Sequence, residues 1–424
     1  MPGRASHEEQ HLTTRNLTTR NLTTQELIGL LRAGDTVLVG QATAEPPTLV
    51  RMLVEATGSV ADLTAFCGYT LSKAWKDVAP AGLKVRAYAA HGVLRGLADK
   101  GVLDVLPWHL SAVEANIASR RMPVDVVLLQ VGPKDEAGYY SLGPTVDYAV
   151  VAAELARVVL VEVNPEMPRT RTSRRLHESV VTGEVPASGG LAGSPARPAS
   201  GAEKLVAKNV TGLVPDGATI QLGAGALAEA VAEELGVRRN LEVRSGLVGD
   251  WLVDLYESGA MRPGADSAVV SMALGTKRLY DFVDRSAVIR FAPMSELIDP
   301  RVLAGCDSFV AINSAIEVDL SGQINSEVVG GRYVGAVGGQ VDFFRATRAS
   351  AGGLAIVALA SNHPSGESRI VASLDGPVTS LRSDVDIVVT EWGIADLRAA
   401  SLGERAERLL AVADPRHRSA LTRA

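Results

Sequence analysis

Three segments of the chain carry residue types that could do chemistry. The first is Gly223-Ala224-Gly225-Ala226-Leu227-Ala228, set between the apolar run Ala218–Leu222 and a helical pattern over Glu229–Leu235. Its G-x-G-x-x-A spacing lets a backbone come close to a phosphate-bearing ligand, and the following helix offers unpaired N–H groups. Glu242 follows at roughly the spacing of a ribose-binding acid in a dinucleotide site. A dinucleotide domain should begin with such a unit, however, and this one falls mid-chain. Three readings stay open: a dinucleotide site, a turn that only packs a helix on a sheet, or a site for another phosphate-bearing or thioester ligand.

The second segment runs from Tyr333 to Phe343 and holds Gly335, Gly338, Gly339 and Gln340 between β-type residues. Glycines so spaced make a turn whose N–H groups can face a ligand, as a thioester oxyanion requires. A plain β turn or bulge fits the same pattern. The third, Leu129 to Gly143, leaves an apolar strand and carries Asp135 and Glu136 before Gly138. The acidic pair could be a base, although a solvated turn is the commoner reason for acids before glycine. His91 and His109 stand alone, without metal spacing and without an evident Ser or Cys partner, so each reads first as a structural histidine. No HExxH, P-loop or nucleophile elbow is present. The two cysteines, Cys67 and Cys306, are far apart and suggest neither a metal site nor a disulfide framework.

Those segments need elements to hold them. The 424 residues are 46% hydrophobic and 21% charged, ample for two domains or one large α/β unit. A net charge of −6 gives no general attraction to nucleic acid or to an anionic membrane. No stretch reaches the ~20 apolar residues of a membrane span, and the N-terminus lacks the apolar core of a signal peptide, so a cytoplasmic location is expected. Residues 1–24 read as a flexible tail with a repeat, Leu12-Thr-Thr-Arg-Asn16 and Leu17-Thr-Thr-Arg-Asn21, whose last copy caps a helix at Thr24. Helix, Gly34-Asp35 turn and strand Thr36–Val39 follow. The runs Val124–Val131 and Arg157–Val163 are nearly all apolar and β-branched, typical of parallel strands buried on both faces. A helical segment, Tyr148 to Leu155, lies between them, so the class is α/β with mostly parallel sheets. Residues 183–201, rich in Gly, Ser, Pro and Ala, read as a linker between a domain at 25–182 and another at 202–424. The second half restarts with a helix over 202–213, a Pro215-Asp216-Gly217 turn and the strand Ala218–Leu222, which hints at two copies of one fold.

From about Gly34 to Arg418 the chain resembles the acetyl-CoA hydrolase/transferase family. The segments Val124–Asp147, Val161–Arg169, Pro215–Gly223, Gly275–Phe282, Ile312–Gln323, Gly338–Phe343 and Val388–Arg398 carry the likeness in order. The resemblance implies a two-domain CoA-transferase fold, an active site in the cleft between the domains, and homodimers or larger assemblies. It implies acyl-CoA as substrate, a small-molecule acceptor and no metal. The usual family chemistry uses a glutamate that attacks the acyl-CoA carbonyl and then carries CoA as a glutamyl thioester.

The position that the resemblance assigns to that glutamate is Gly246, in Leu241-Glu-Val-Arg-Ser-Gly246-Leu-Val-Gly-Asp250. Glycine cannot be a nucleophile. Glu242 shares its strand face but lies about 13 Å away along an extended chain. Asp250 and Glu391 match residues the family already keeps near its nucleophile, and the family's His-Leu-Ser-Glu stretch reads His109-Leu-Ser-Ala112. Glu242, Asp250 and His109 are therefore the catalytic candidates around Gly246. Gly223, Ala224, Gly225, Ala226, Gly335, Gly338, Gly339, Gln340 and Asn313 are the candidates for holding coenzyme A. The expectation is direct attack of a bound nucleophile, water being the limiting case, on the thioester, in specialised metabolism. A conventional CoA-transferase using another carboxylate and a non-catalytic acyl-CoA-binding protein are the alternatives.

Overall fold

The structure is a computed structural model that describes residues 22–78 and 82–422; the first two copies of the Leu-Thr-Thr repeat lie outside these, and the last, from Leu22, lies inside. The first sheet is built from β1 (Thr36–Val39), β2 (Thr64–Cys67), β3 (Lys84–Ala87), β4 (Leu103–Val105), β5 (Val126–Val131), β6 (Val158–Val163) and β7 (Gly183–Pro186). Its strand order is β4-β3-β2-β1-β5-β6-β7, all neighbours parallel. Every residue of β5 is buried, which explains its unbroken apolar pattern. The second sheet holds β8 (Thr219–Leu222), β9 (Glu242–Val248), β10 (Ala268–Ala273), β11 (Ile289–Phe291), β12 (Phe309–Asn313), β13 (Leu354–Ala358), β14 (Ile387–Thr390) and β15 (Gly393–Asp396). Its order is β11-β10-β9-β8-β12-β13-β14-β15, antiparallel only at the last pair.

The two sheets wind alike. In each, the first four strands step outward in one direction and the fifth returns to the other side of the first. Strand order therefore reverses between β1 and β5 and again between β8 and β12. Crevices at the carboxyl ends of such strands are where open α/β sheets bind ligands. The halves are joined tightly. One buried hydrophobic cluster contains Leu38 and Val127 from the first sheet together with Ile220 and Val270 from the second. Pro144–Val146 runs antiparallel along the end of β10: Val146 N donates to Ser271 O at 2.8 Å, and Ala273 N donates to Pro144 O at 2.8 Å.

Three boundaries differ from the sequence reading. The expected linker 183–201 opens with β7, which pairs with β6, because alternate residues Gly183 and Val185 fit against the first sheet. The first helix, Thr24–Leu30, is capped by Thr23 rather than Thr24, with Glu26 closing a capping box. The helix after Gly225 begins at Ala226, not Glu229, since Gly225 at φ +113° supplies the turn directly.

Candidate active site between the two sheets

The contact of Pro144–Val146 with β10 brings Asp147 to β9, the strand beside β10. Asp147 is the N-cap of the helix Tyr148–Leu155, and its Oδ1 accepts from Ala149 N at 2.8 Å. Oδ2 accepts from Gln41 Nε2 at 2.6 Å. Gln41 follows β1 and cannot turn its amide over, because its Oε1 already takes Tyr69 N at 3.0 Å and the Tyr88 hydroxyl. A small cavity lies among Gln41, Leu110, Glu114, Asp147, Tyr148, Gly246, Ser271, Met272 and Met294, drawn from both halves of the chain.

Gly246 is buried in β9 and faces this cavity. A Cβ there would meet Met294 Sδ at 3.4 Å and Phe343 Cε2 at 3.5 Å, ordinary contact distances. A Cβ on Gly339 would meet Leu110, Phe343 and Met294, so the glycine turn and Gly246 flank the same two side chains. The water-accessible volume of the cavity is about 20 Å³, which is room for about one water molecule. Its lining includes the polar residues Gln41, Glu114, Asp147 and Ser271. The Tyr148 hydroxyl is buried and finds no hydrogen-bond partner among the described residues. Burial raises the Asp147 carboxyl to about 6, helped by the Glu114 charge and opposed by the Ala149 and Gln41 hydrogen bonds. Glu114 is engaged: Arg174 Nη2 lies 3.3 Å from Oε1, and Ser295 Oγ donates to Oε2 at 2.9 Å.

The structure spreads the sequence candidates over several places. Glu242 sits at the opposite end of β9 and is paired with Arg262 Nε at 2.5 Å. Asp250 begins the helix Trp251–Glu257 and binds the Thr276 backbone N and hydroxyl, the latter at 2.8 Å. It opens onto a separate cleft of about 540 Å³ with Lys204, Glu229 and Arg278. Burial, with the charges of Asp250 and Asp254, lifts Glu229 there to about 7. Glu391 is occupied by Ser361, whose N and Oγ donate at 2.8 and 2.7 Å. His109 precedes the helix Leu110–Ala118 and pairs with Gly338 across the two halves, its Nδ1 buried without a partner among the described residues. Ala112 lies in the first turn of the same helix. Asp135 accepts from Ala137 N and Tyr139 N in an exposed turn, which holds its carboxyl below the usual range.

The glycine candidates divide too. Above Gly223 and Gly225 there is open space, so a ligand can approach that backbone. Gly335 is packed instead: a Cβ would collide with the Ser326 carbonyl, and Gly335 O accepts from Ala90 N at 3.0 Å. Gly338, at φ +60°, lies in the left-handed region that favours glycine, and its carbonyl takes Leu110 N at 3.0 Å. Gln340 is buried, with Oε1 accepting from Ser326 Oγ and Nε2 unpaired among the described residues. Asn313, at the end of β12, exchanges amide hydrogen bonds with Gln221 at the end of β8. Among the described residues no cluster of His, Cys, Asp and Glu could hold a metal, and Cys67 and Cys306 are free thiols.

Comparison with known proteins gives the family. The acetyl-CoA hydrolase/transferase N-terminal domain matches residues 6–180, and the C-terminal domain of the same family matches residues 275–424. The chain belongs to the acetyl-CoA hydrolase/transferase family. The 4-hydroxybutyrate coenzyme A transferase of Clostridium kluyveri is 36% identical over 91% of this chain and 92% of that protein. The crystal structure of RipA from Yersinia pestis superposes with a TM-score of 0.88 at 31% identity, covering 95% of this chain and 96% of that one. An acetyl-CoA hydrolase of Candida albicans is 32% identical over 45% of this chain and 37% of that protein. The protein is thus an acyl-CoA transferase or hydrolase of two-domain α/β architecture.

Sequence reading missed Gln41, Glu114, Asp147, Tyr148 and Met294. Asp147 carried a signal, an acid directly before the helical pattern of Tyr148–Leu155. That signal reads first as an N-cap, and it is one. Tyr148 opens the helix that Asp147 caps and reads as a helix residue, while Gln41, Glu114 and Met294 come from elements far apart in sequence and carry no local mark.

Proposed function

We propose that this family member cleaves acyl-CoA by direct attack of a bound small nucleophile on the thioester, without a glutamyl-CoA intermediate, and that water is the favoured nucleophile. The observation that carries this reading is the cavity at Gly246. The position that the resemblance assigns to the carboxylate has no side chain, and the space beside it takes about one water. A bulkier acceptor would have to displace Met294 or Phe343. Neighbouring carboxylates are poorly suited to carry CoA. Glu242 is ion-paired at the far end of its strand, and Glu114 is held by Arg174 and Ser295.

Gly223 to Ala226, with open backbone at the end of β8, would receive the pantetheine arm, and Gly338, Gly339 and Gln340 would face the thioester oxygen. Asn313 and Gln221 would border the same crevice where strand order reverses. Homodimers belong to this reading by analogy with the family alone, and specialised metabolism because a housekeeping transferase would have little reason to drop its nucleophile. The test is intact-mass analysis during turnover of acetyl- to octanoyl-CoA, with borohydride trapping. CoA should be released while the protein mass stays unchanged. A mass increase equal to CoA on the wild-type protein would show that a carboxylate carrier exists.

A further inference from the structure

We propose that Asp147 is the general base of this reaction, taking a proton from a water held in the cavity between its carboxylate, the Tyr148 hydroxyl and the backbone at Gly246. This rests on the reading that water attacks the thioester directly, and it names the group that activates it.

The geometry supports the assignment in three ways. First, Asp147 and Gly246 line one cavity of water size, although they lie 99 residues apart in the chain. Second, a buried water needs two to four polar partners, and Tyr148 offers a buried hydroxyl that nothing else among the described residues engages. Asp147 lines the same cavity as a further acceptor, since each carboxylate oxygen has a lone pair beyond the one used by Ala149 N or Gln41 Nε2. Third, those two bonds hold the carboxylate in place. A short side chain fixed at both oxygens suits proton transfer. It suits poorly a nucleophile that must become an anhydride and then a thioester, because at each stage it loses its charge and one of the two oxygens that accept from Ala149 N and Gln41 Nε2.

The step balances without a further reagent. The water oxygen bonds to the thioester carbonyl carbon as one of its protons passes to Asp147. The tetrahedral oxyanion collapses, the C–S bond breaks, and the electron pair leaves on sulfur. The thiolate takes the proton back from Asp147, giving CoA and the free acid.

Around Asp147, the titratable neighbours are Glu114, paired with Arg174, and the phenols Tyr88 and Tyr148, with Cys67 beside those two phenols. Burial keeps the two phenols and the thiol protonated well past neutrality. The base should therefore titrate as a single group near its raised value of about 6.

The experiment is a pH–rate profile of CoA release from acetyl- to octanoyl-CoA by the full chain, for wild type, Asp147→Asn and Tyr148→Phe. In wild type, kcat/KM should rise with unit slope to a bend near about 6 and then level off. Asparagine keeps an oxygen for the Ala149 cap but cannot accept the proton. Asp147→Asn should lose about 100-fold or more in kcat and lose the acidic limb, with KM little changed. Tyr148→Phe leaves the cap untouched; it should lower kcat about tenfold and keep the limb. An Asp147→Asn enzyme that retains the wild-type rate or limb overturns the assignment while direct attack stands. So does a Tyr148→Phe enzyme at full rate. CoA found covalently on Asp147, or no CoA release from any of these thioesters, overturns the assignment and the proposed function together.

Discussion

A glycine at position 246 changes what neighbouring side chains must do. Met294 and Phe343 lie within contact distance of where its Cβ would be, so the space is shared between them and a water-sized cavity. Gly246→Ala places a methyl at ordinary contact distance, and stability should change by no more than about 1 kcal/mol. The methyl enters the cavity, however, and thioester hydrolysis should fall about 10–100-fold. A thermal melt beside a CoA-release assay checks both. Gly246→Glu alone must push Met294 aside. Carboxylate-dependent CoA exchange should therefore appear in Gly246→Glu/Met294→Ala before it appears in the single variant.

Asp147 also links the site to stability. Its folded value of about 6 lies above the ordinary 3.8, so between those values the folded chain binds more protons than the unfolded one. Stability from this group is full below about pH 4 and declines by about 3 kcal/mol as pH rises through 6. Urea titrations at pH 4.5 and 6.5 should show about 2 kcal/mol of that decline in wild type and a smaller change in Asp147→Asn. Equal slopes in both would contradict the buried, raised carboxyl.

At the scale of elements, glycines of similar appearance in the sequence do different work. Gly335 lets the Val334–Ala336 segment lie against Ser326 and reach Ala90 in the first half. Gly335→Ala should cost about 2–3 kcal/mol because backbone, not a flexible side chain, is in the way. Gly223 has nothing within 4 Å of where its Cβ would be. Gly223→Ala should leave the melting temperature unchanged and raise KM for acyl-CoA; an unchanged KM would remove that turn from the ligand site. The sequence pattern could not separate these two glycines, since what differs is the Ser326 carbonyl more distant along the chain or its lack. Strand and helix periods were legible for the same reason the fold was: β5 and β6 are buried on both faces, and Tyr148–Leu155 follows an acidic cap. The linker was misread at its start, because Gly183-Glu-Val-Pro186 has turn composition yet alternates in burial as an edge strand.

For the whole molecule, the decisive feature is that two like-wound sheets meet, and the site is made by both. Ser111 N and Oγ bind Asp342 across the halves, the hydroxyl at 2.6 Å, and Glu114 reaches Ser295. That arrangement explains what was legible of the site. The position at 246 could be read from its family context, but its partners Gln41, Asp147 and Tyr148 belong to the other half, and they come near it where the halves dock, Pro144–Val146 along β10 among those contacts. A single turnover of acyl-CoA in H2 18O, with the label located in both product acid and protein, tests the account most directly. Direct attack by water predicts one 18O in the released acid and none in the protein. An unlabelled acid in the first turnover, with 18O appearing on a protein carboxyl group, would show that a side chain attacked first and would contradict it.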